Sequence, residues 1–225
     1  MMKKALIIGA TGLVGKEVLN ILLEGDTYES ITILVRKKPS ISHGKLVCIV
    51  LDDFSNMEQH SKLFQVDDVY CCLGTTIKKA KTKENFKQVD FTYPLMAAQL
   101  AKEYGVKRFL LVSAMGADSR SSIFYNRVKG ELELAVQQIH LPSFLIFRPS
   151  LLLGERAELR VGERMASLVF AFLPFLFKGA LIKYRPIEGR DVASMMVRMA
   201  ETYLPGTHIF ENDQMYKILS KGTNK

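Results

Sequence analysis

Near the amino terminus the chain reads Lys4-Ala5-Leu6-Ile7-Ile8-Gly9-Ala10-Thr11-Gly12-Leu13-Val14-Gly15. The stretch opens with a nearly unbroken apolar run that stops at a glycine. Such a run fits a strand buried on both faces, as strands of a parallel sheet are. From Leu13 onward apolar side chains recur at helical spacing, through Val14, Val18, Leu19, Leu22 and Leu23, and Gly25 offers a stop. The stretch therefore predicts a strand, a glycine loop and a helix.

The same pattern continues outward. Apolar runs at Ile31–Val35, Leu46–Leu51, Val69–Leu73, Phe109–Ser113, Ser143–Phe147 and Thr207–Phe210 read as further strands. Helical patterns fall at Glu84–Tyr104, Phe124–Ile139 and Arg190–Tyr203, and Pro94 predicts a kink or two helices in the first of these. Strands alternating with helices imply right-handed βαβ units. The fold class expected is α/β, a Rossmann-type doubly wound parallel sheet. Residues 1–225 are read as a single domain, in which 150–187 form a small substrate-pocket or interface segment. In such sheets ligands sit beyond the carboxyl ends of the strands. Gly9, Arg36, Asp53, Gly74, Ser113 and Arg148 all fall at expected strand ends.

The glycine loop has a chemical reading. Gly9 permits the tight turn, Gly12 lets the backbone approach a pyrophosphate, and Gly15 lets the helix pack closely on the sheet. The N–H groups along Thr11, Gly12, Leu13 and Val14 then face the phosphate charge at the helix start. A turn that holds no ligand is the alternative, and the position at the first strand–helix junction favours the dinucleotide. About 20 residues beyond such a loop an acidic residue would bind the ribose of NAD. Here Arg36-Lys37-Lys38 ends the second strand instead. A carboxylate would repel a 2′-phosphate, whereas a guanidinium grips it with two hydrogen bonds. NADP is therefore the expected cofactor, with NADPH preferred over NADH; an ordinary solvated basic turn is the competing reading.

Tyr125 and Lys129 lie on one face of a helix, and Ser113 ends the strand before it. Tyrosine has a reference pKa of about 10, and a neighbouring ammonium favours its ionised form. Ser113 could then bond a carbonyl oxygen, Tyr125 donate the proton, and Lys129 tune Tyr125 and hold a ribose.

Taken together, Gly9–Gly15, Ser113 and Tyr125-x-x-x-Lys129 resemble the short-chain dehydrogenase/reductase superfamily in its atypical branch. Cys71-Cys72-Leu73-Gly74-Thr75-Thr76, Val112-Ser113-Ala114-Met115-Gly116-Ala117, Tyr125-Asn126-Arg127-Val128-Lys129-Gly130 and Arg148-Pro149-Ser150-Leu151-Leu152-Leu153-Gly154 are similar to the NAD(P)H-binding group that includes the Tat-interacting-protein oxidoreductases. The resemblance implies that Asp53 and Phe54 flank the adenine and that Leu73 and Gly74 line the cofactor cleft. It also implies that Pro149, within Arg148-Pro149-Ser150, lies near the nicotinamide. No asparagine fills the family's fourth catalytic place; Asp90 stands in that part of the long helix.

Bulk properties bound the alternatives. The net charge is +8, but the densest basic run, Lys78–Lys83, has no aromatic residue for base stacking, so no specific nucleic-acid partner is expected. The most apolar stretch, Met165–Phe177, is shorter than the roughly 20 residues a bilayer needs, so no transmembrane segment is expected. Three cysteines without zinc spacing read as buried thiols in a reducing cytosol, and the expected location is cytoplasmic. The histidines are scattered, and Asp67-Asp68 reads as a turn opening the fourth strand. The expected function is an NADP(H)-dependent oxidoreductase acting on a carbonyl or alcohol of a small, partly apolar substrate. Leu151, Leu152, Leu153, Met165, Phe170, Phe172, Phe175 and Phe177 would wall that pocket, or pack as core, or face the partner of a homo-oligomer. A non-enzymatic NADPH-binding regulator or adaptor is the alternative. An epimerase is a third reading, disfavoured by the limited room in 155–185.

Overall fold

The computed structural model describes residues 2–154 and 179–222. Strands β1 (Lys3–Ile8), β2 (Tyr28–Val35), β3 (Leu46–Val50), β4 (Asp68–Cys71), β5 (Arg108–Val112), β6 (Ser143–Arg148), β7 (Leu152–Leu153), β8 (Ile187–Glu188) and β9 (Gly206–Glu211) follow one another along the chain. Seven of them form one sheet in the order β3-β2-β1-β4-β5-β6-β9, every pair parallel. The chain runs outward from β1 to β3, then crosses back to start β4 on the other side of β1. That reversal opens a crevice at the carboxyl ends of β1 and β4. Ile8 pairs there with both Leu34 and Cys71, and the Cys72 N–H donates to the Ile8 carbonyl at 2.8 Å.

Helices cover both faces, which is why the strands read as continuous apolar runs. On one face Ala5, Ile7, Ile31, Ile33, Leu110, Leu145 and Phe147 pack with α1 (Leu13–Glu24). On the opposite face Leu6, Ile8, Leu34, Val69, Leu111 and Ile146 pack with a 3₁₀ segment, Phe54–Phe64. After that segment and β4 come α2 (Ile77–Ala80), α3 (Lys83–Lys87), a π turn (Gln88–Thr92), α4 (Tyr93–Glu103) and α5 (Phe124–Gln137). Leu100, Leu132 and Val136 bring α4 and α5 onto this second face. Beyond another 3₁₀ segment, Gly179–Tyr184, α6 (Gly189–Ala200) packs beside α1, and α7 (Asn212–Gly222) ends the described chain.

The kink expected at Pro94 is realised as the π turn directly before it. Proline has no N–H to donate, and its ring presses on the carbonyl four residues back, at Asp90. Widening the turn relieves that clash, and wide turns of this kind recur at functional sites. Asp90 is left fully buried. Leu152–Leu153 and Ile187–Glu188 form a separate two-stranded ribbon that bounds the segment between them. The expected pocket residues Met165, Phe170, Phe172, Phe175 and Phe177 lie outside the described residues. Among the described residues no helix is long and apolar enough to cross a membrane.

Asp67-Asp68 is an anchor of ion pairs rather than a plain turn. Asp68 is fully buried and meets Arg108 at 2.8 Å, Lys3 at 3.6 Å and the Tyr28 hydroxyl at 2.7 Å. These groups open β4, β5, β1 and β2, so one carboxylate ties the amino ends of four adjacent strands. Burial, the neighbouring Tyr70 and the Asp68 charge push the Tyr28 hydroxyl far up, which keeps it protonated and donating. Asp68→Ala should strand Arg108 and Tyr28 and cost about 3–5 kcal/mol, the usual loss for a broken buried pair. Denaturant unfolding measures this, and a loss below about 1 kcal/mol would show that water serves the network.

Candidate functional site

The crevice at the strand ends is built from the glycine loop upward. Gly9 adopts a φ of +90°, and a Cβ there would lie 2.7 Å from the Cys72 carbonyl. A Cβ on Gly15 would lie 2.2 Å from the Gly9 oxygen, so α1 rests directly on the turn that leaves β1. Gly12 caps α1 with extended backbone and no side-chain bond, and no acidic residue occupies the first turn. The N–H groups of that turn are therefore left to a ligand, and the helix dipole favours an anion there.

Beside this helix start opens a cleft of about 1010 Å³. Among the expected site residues, Thr11, Gly12, Leu13, Val14, Leu73, Gly74, Ser113, Tyr125, Lys129 and Pro149 line it together. Gly9 and Gly15 shape it from behind. Leu151, Leu152 and Leu153 form an apolar wall, and Ser150, Glu188 and Arg190 add polar groups.

On α5, Tyr125 packs its ring on Phe86 at 5.6 Å between centroids. Lys129, one turn further on, is 3% exposed, and its Nζ meets Asp90 Oδ1 at 2.7 Å. Burial by itself lowers a lysine pKa; here the Asp90 carboxylate, with Tyr125 and Cys71 adding, outweighs it and raises Lys129 above its ordinary value. The other Asp90 oxygen accepts the Thr75 N–H at 2.8 Å. Ser113 donates its hydroxyl hydrogen to buried Glu133. Glu133 in turn pairs with Arg148 at 2.5 Å, and Arg148 reaches Glu211 at 2.8 Å. Hydrogen bonding to Glu133 is the largest cause that keeps Arg148 raised and charged.

Comparison with known proteins gives this arrangement a family. A family model described as NAD(P)H-binding matches residues 9–140. Protein HTATIP2 of Rattus norvegicus is 38% identical over 175 residues, covering 76% of this chain and 72% of the relative. The FMP52 protein of Candida albicans is 35% identical over 205 residues, covering 89% of both.

The chain belongs to the NAD(P)H-binding family.

Within it the chain resembles the atypical short-chain dehydrogenase/reductases, as its motifs implied. The solved Bordetella bronchiseptica enzyme WbmH, in complex with NAD+, superposes with a TM-score of 0.70 at 19% identity, over 94% of this chain and 76% of that one. MoeE5 in complex with UDP-glucose and NAD gives 0.69 at 11% identity, over 98% and 82%. These likenesses establish the shared fold.

One expectation is corrected by the relatives. FMP52 proteins of Scheffersomyces stipitis, Candida albicans and Debaryomyces hansenii are named mitochondrial, which points away from a cytoplasmic location. Buried thiols are inert wherever the compartment is reducing, so cysteine usage does not separate one such compartment from another. Burial pushes the Cys71 thiol up to about 12 and raises Cys72 as well.

Besides Gly9 and Gly15, three expected binding residues of this NAD(P)H-binding chain, Arg36, Asp53 and Phe54, lie outside the cleft lining. Arg36 is exposed just past β2. Asp53 accepts the Ser55 N–H at 2.8 Å and the Tyr93 hydroxyl at 2.6 Å. Those two bonds, with Arg36 adding its charge, hold the Asp53 carboxyl below its ordinary value. Phe54 is buried against Tyr93, with centroids 5.8 Å apart. Asp90, at the family's fourth catalytic place, and Glu133, on α5, are the two site carboxylates that the motifs do not single out. A signal for Glu133 was present: Tyr125, Lys129 and Glu133 continue one stripe at four-residue spacing, and a carboxylate on a stripe facing the sheet needs a partner. Among the described residues no cluster suited to a metal ion exists.

Glu133→Ala should leave Arg148 and Ser113 without their shared partner and cost about 3 kcal/mol or more. Chemical denaturation of the apo protein tests this. A loss below about 1 kcal/mol would show that Glu211 alone satisfies Arg148.

Proposed function

We propose that this protein is an NADP(H)-dependent oxidoreductase that interconverts a carbonyl and an alcohol on a small, partly apolar substrate. The observation that carries this reading is the convergence of Tyr125, Lys129 and Ser113 on the cleft that also holds the glycine loop. The residues fit such a nucleotide: the open N–H groups of α1 suit a pyrophosphate, and Gly12 leaves it room. When bound, the nicotinamide would supply or accept the hydride.

The protein's own groups handle the proton. Tyr125 gives a proton to the carbonyl oxygen, or takes it back from the alcohol. Lys129, kept charged beside Asp90, steadies Tyr125 and offers its ammonium to the ribose. Because Ser113 gives its hydrogen to Glu133, its oxygen is left to act as an acceptor. Ser113 thus suits the hydroxyl of the alcohol better than it suits a carbonyl oxygen. Arg36, exposed just past β2, supports selection of a 2′-phosphate. Leu151–Leu153 support a partly apolar substrate.

A second reading is favoured by one observation: the Ser113 proton and the Lys129 ammonium are both engaged by buried carboxylates. A chain so tied could bind NADPH as a regulator without turnover.

Two experiments bear on these readings. A ligand at 100 times its dissociation constant adds about 2.7 kcal/mol of stability. NADPH should therefore raise the melting temperature more than NADH at equal concentration, and Arg36→Asp should narrow or reverse that order; equal shifts in the parent protein would remove the case for Arg36. In a screen of aldehydes, ketones and quinones for NADPH oxidation, Tyr125→Phe should lower turnover by about 10²–10⁴-fold while NADPH affinity barely moves. Unchanged turnover in that variant would defeat the mechanism, and a screen with no substrate above background would favour the regulator.

A further inference from the structure

We propose that Asp90 is a positioning residue of the nucleotide site, which uses one carboxyl oxygen to fix Lys129 and the other to fix the Gly74–Thr75 backbone. The inference rests on the reading of Lys129 as a group that holds the cofactor. Four observations support it. Asp90 is fully buried yet lines the cleft. Its Oδ2 holds the Thr75 N–H at 2.8 Å, directly after Gly74 on the cleft wall. Its Oδ1 meets Lys129 Nζ at 2.7 Å but accepts no hydrogen bond of good geometry among the described residues. A Cβ added to Gly74 would lie 3.5 Å from that same oxygen, so the Gly74 backbone runs directly beside the carboxylate.

The π turn is what delivers this carboxylate. A buried charge persists only when it is paired, and Lys129 on α5 supplies the opposite charge. The pair therefore fixes the distance between the cleft wall after β4 and the helix that carries Tyr125. An asparagine at this place would still hold the Thr75 N–H, but it would leave the ammonium without a counter-charge. The groups that face Lys129 are Asp90 from the π turn, Cys71 from β4 and Tyr125 from its own helix. Of these, Asp90 is the one carboxylate.

The sign of the expected pH effect follows. With Asp90 present, Lys129 stays charged well above its reference pKa of about 10.4 and NADPH binding does not depend on its titration near neutrality. Without the carboxylate, burial lowers the lysine pKa, by up to about 3–5 units for fully buried groups. Lys129 then loses its charge as pH rises, and affinity for an anionic nucleotide falls with it.

NADPH titrations from roughly pH 7 to 9.5 test this, a window that lies below the reference lysine pKa. Wild type should bind with flat affinity. Asp90→Asn should bind about tenfold more weakly at pH 7, the scale of one lost charge-assisted contact, and weaken further as pH rises. Adding Lys129→Met should abolish that slope. Asp90→Glu restores the charge at a shifted distance, so its profile should be flat with affinity between the two; it also carries the test if Asp90→Asn fails to fold. Wild-type affinity and profile in Asp90→Asn, wild-type affinity in Asp90→Glu, or a slope that survives Lys129→Met would overturn the assignment. The parent reading fails separately: if Lys129→Met alone binds NADPH undiminished, Lys129 has no role toward the nucleotide.

Discussion

The oxygen of Gly9 lies 2.2 Å from where a Cβ of residue 15 would stand, and the site depends on that close approach. Only a glycine lets α1 settle directly on the turn that leaves β1. With α1 in that place, its unsatisfied N–H groups point into the crevice between β1 and β4. The crevice exists because the chain reverses its direction of strand addition there. The phosphate site proposed here would rest on backbone geometry, since its donors would be main-chain groups and Gly12 presents no side chain in their way.

Around this backbone frame the protein places its charges sparingly. Asp68, Asp90 and Glu133 are buried, and each meets a cation. Asp68 serves the amino ends of the strands, where nothing reacts; it ties four strands at the base of the sheet. Asp90 and Glu133 stand at the opposite, carboxyl-end side and each holds one member of the Ser113–Tyr125–Lys129 group. A buried pair contributes little net stability, because desolvation offsets attraction. Its effect is to fix geometry, since any departure leaves an uncompensated charge. Fixed geometry is what the roles proposed for Tyr125 and Lys129 would require.

Much of this was legible along the chain. The strands at Lys4–Ile8, Phe109–Ser113 and Ser143–Phe147, the glycine loop, and the Tyr125–Lys129 stripe all follow local rules of periodicity and spacing. Those rules act over a few residues, so one stretch suffices to show them. Asp90 and Glu133 behave differently. Each looks like an ordinary helical carboxylate, and its role depends on a partner that other elements bring to it. Arg36, Asp53 and Phe54 illustrate the same limit: the ends of β2 and β3 are legible, but Asp53 accepts the hydroxyl of Tyr93, forty positions away, and Phe54 turns inward onto the same ring.

The alternation of strand and helix, the parallel sheet, the place of the cleft and several residues that line it, among them Gly12, Ser113, Tyr125 and Lys129, can be read along the chain, because hydrophobic period and glycine spacing are local constraints. Packing between elements distant in the chain is what sets Lys129 against Asp90, Ser113 against Glu133, and Arg148 between Glu133 and Glu211. Charge pairing in a low-dielectric interior is a matter of distance in space. That distance is set when α5, the π turn and the ends of β4, β5 and β6 pack together, and it is written in no single stretch of the chain.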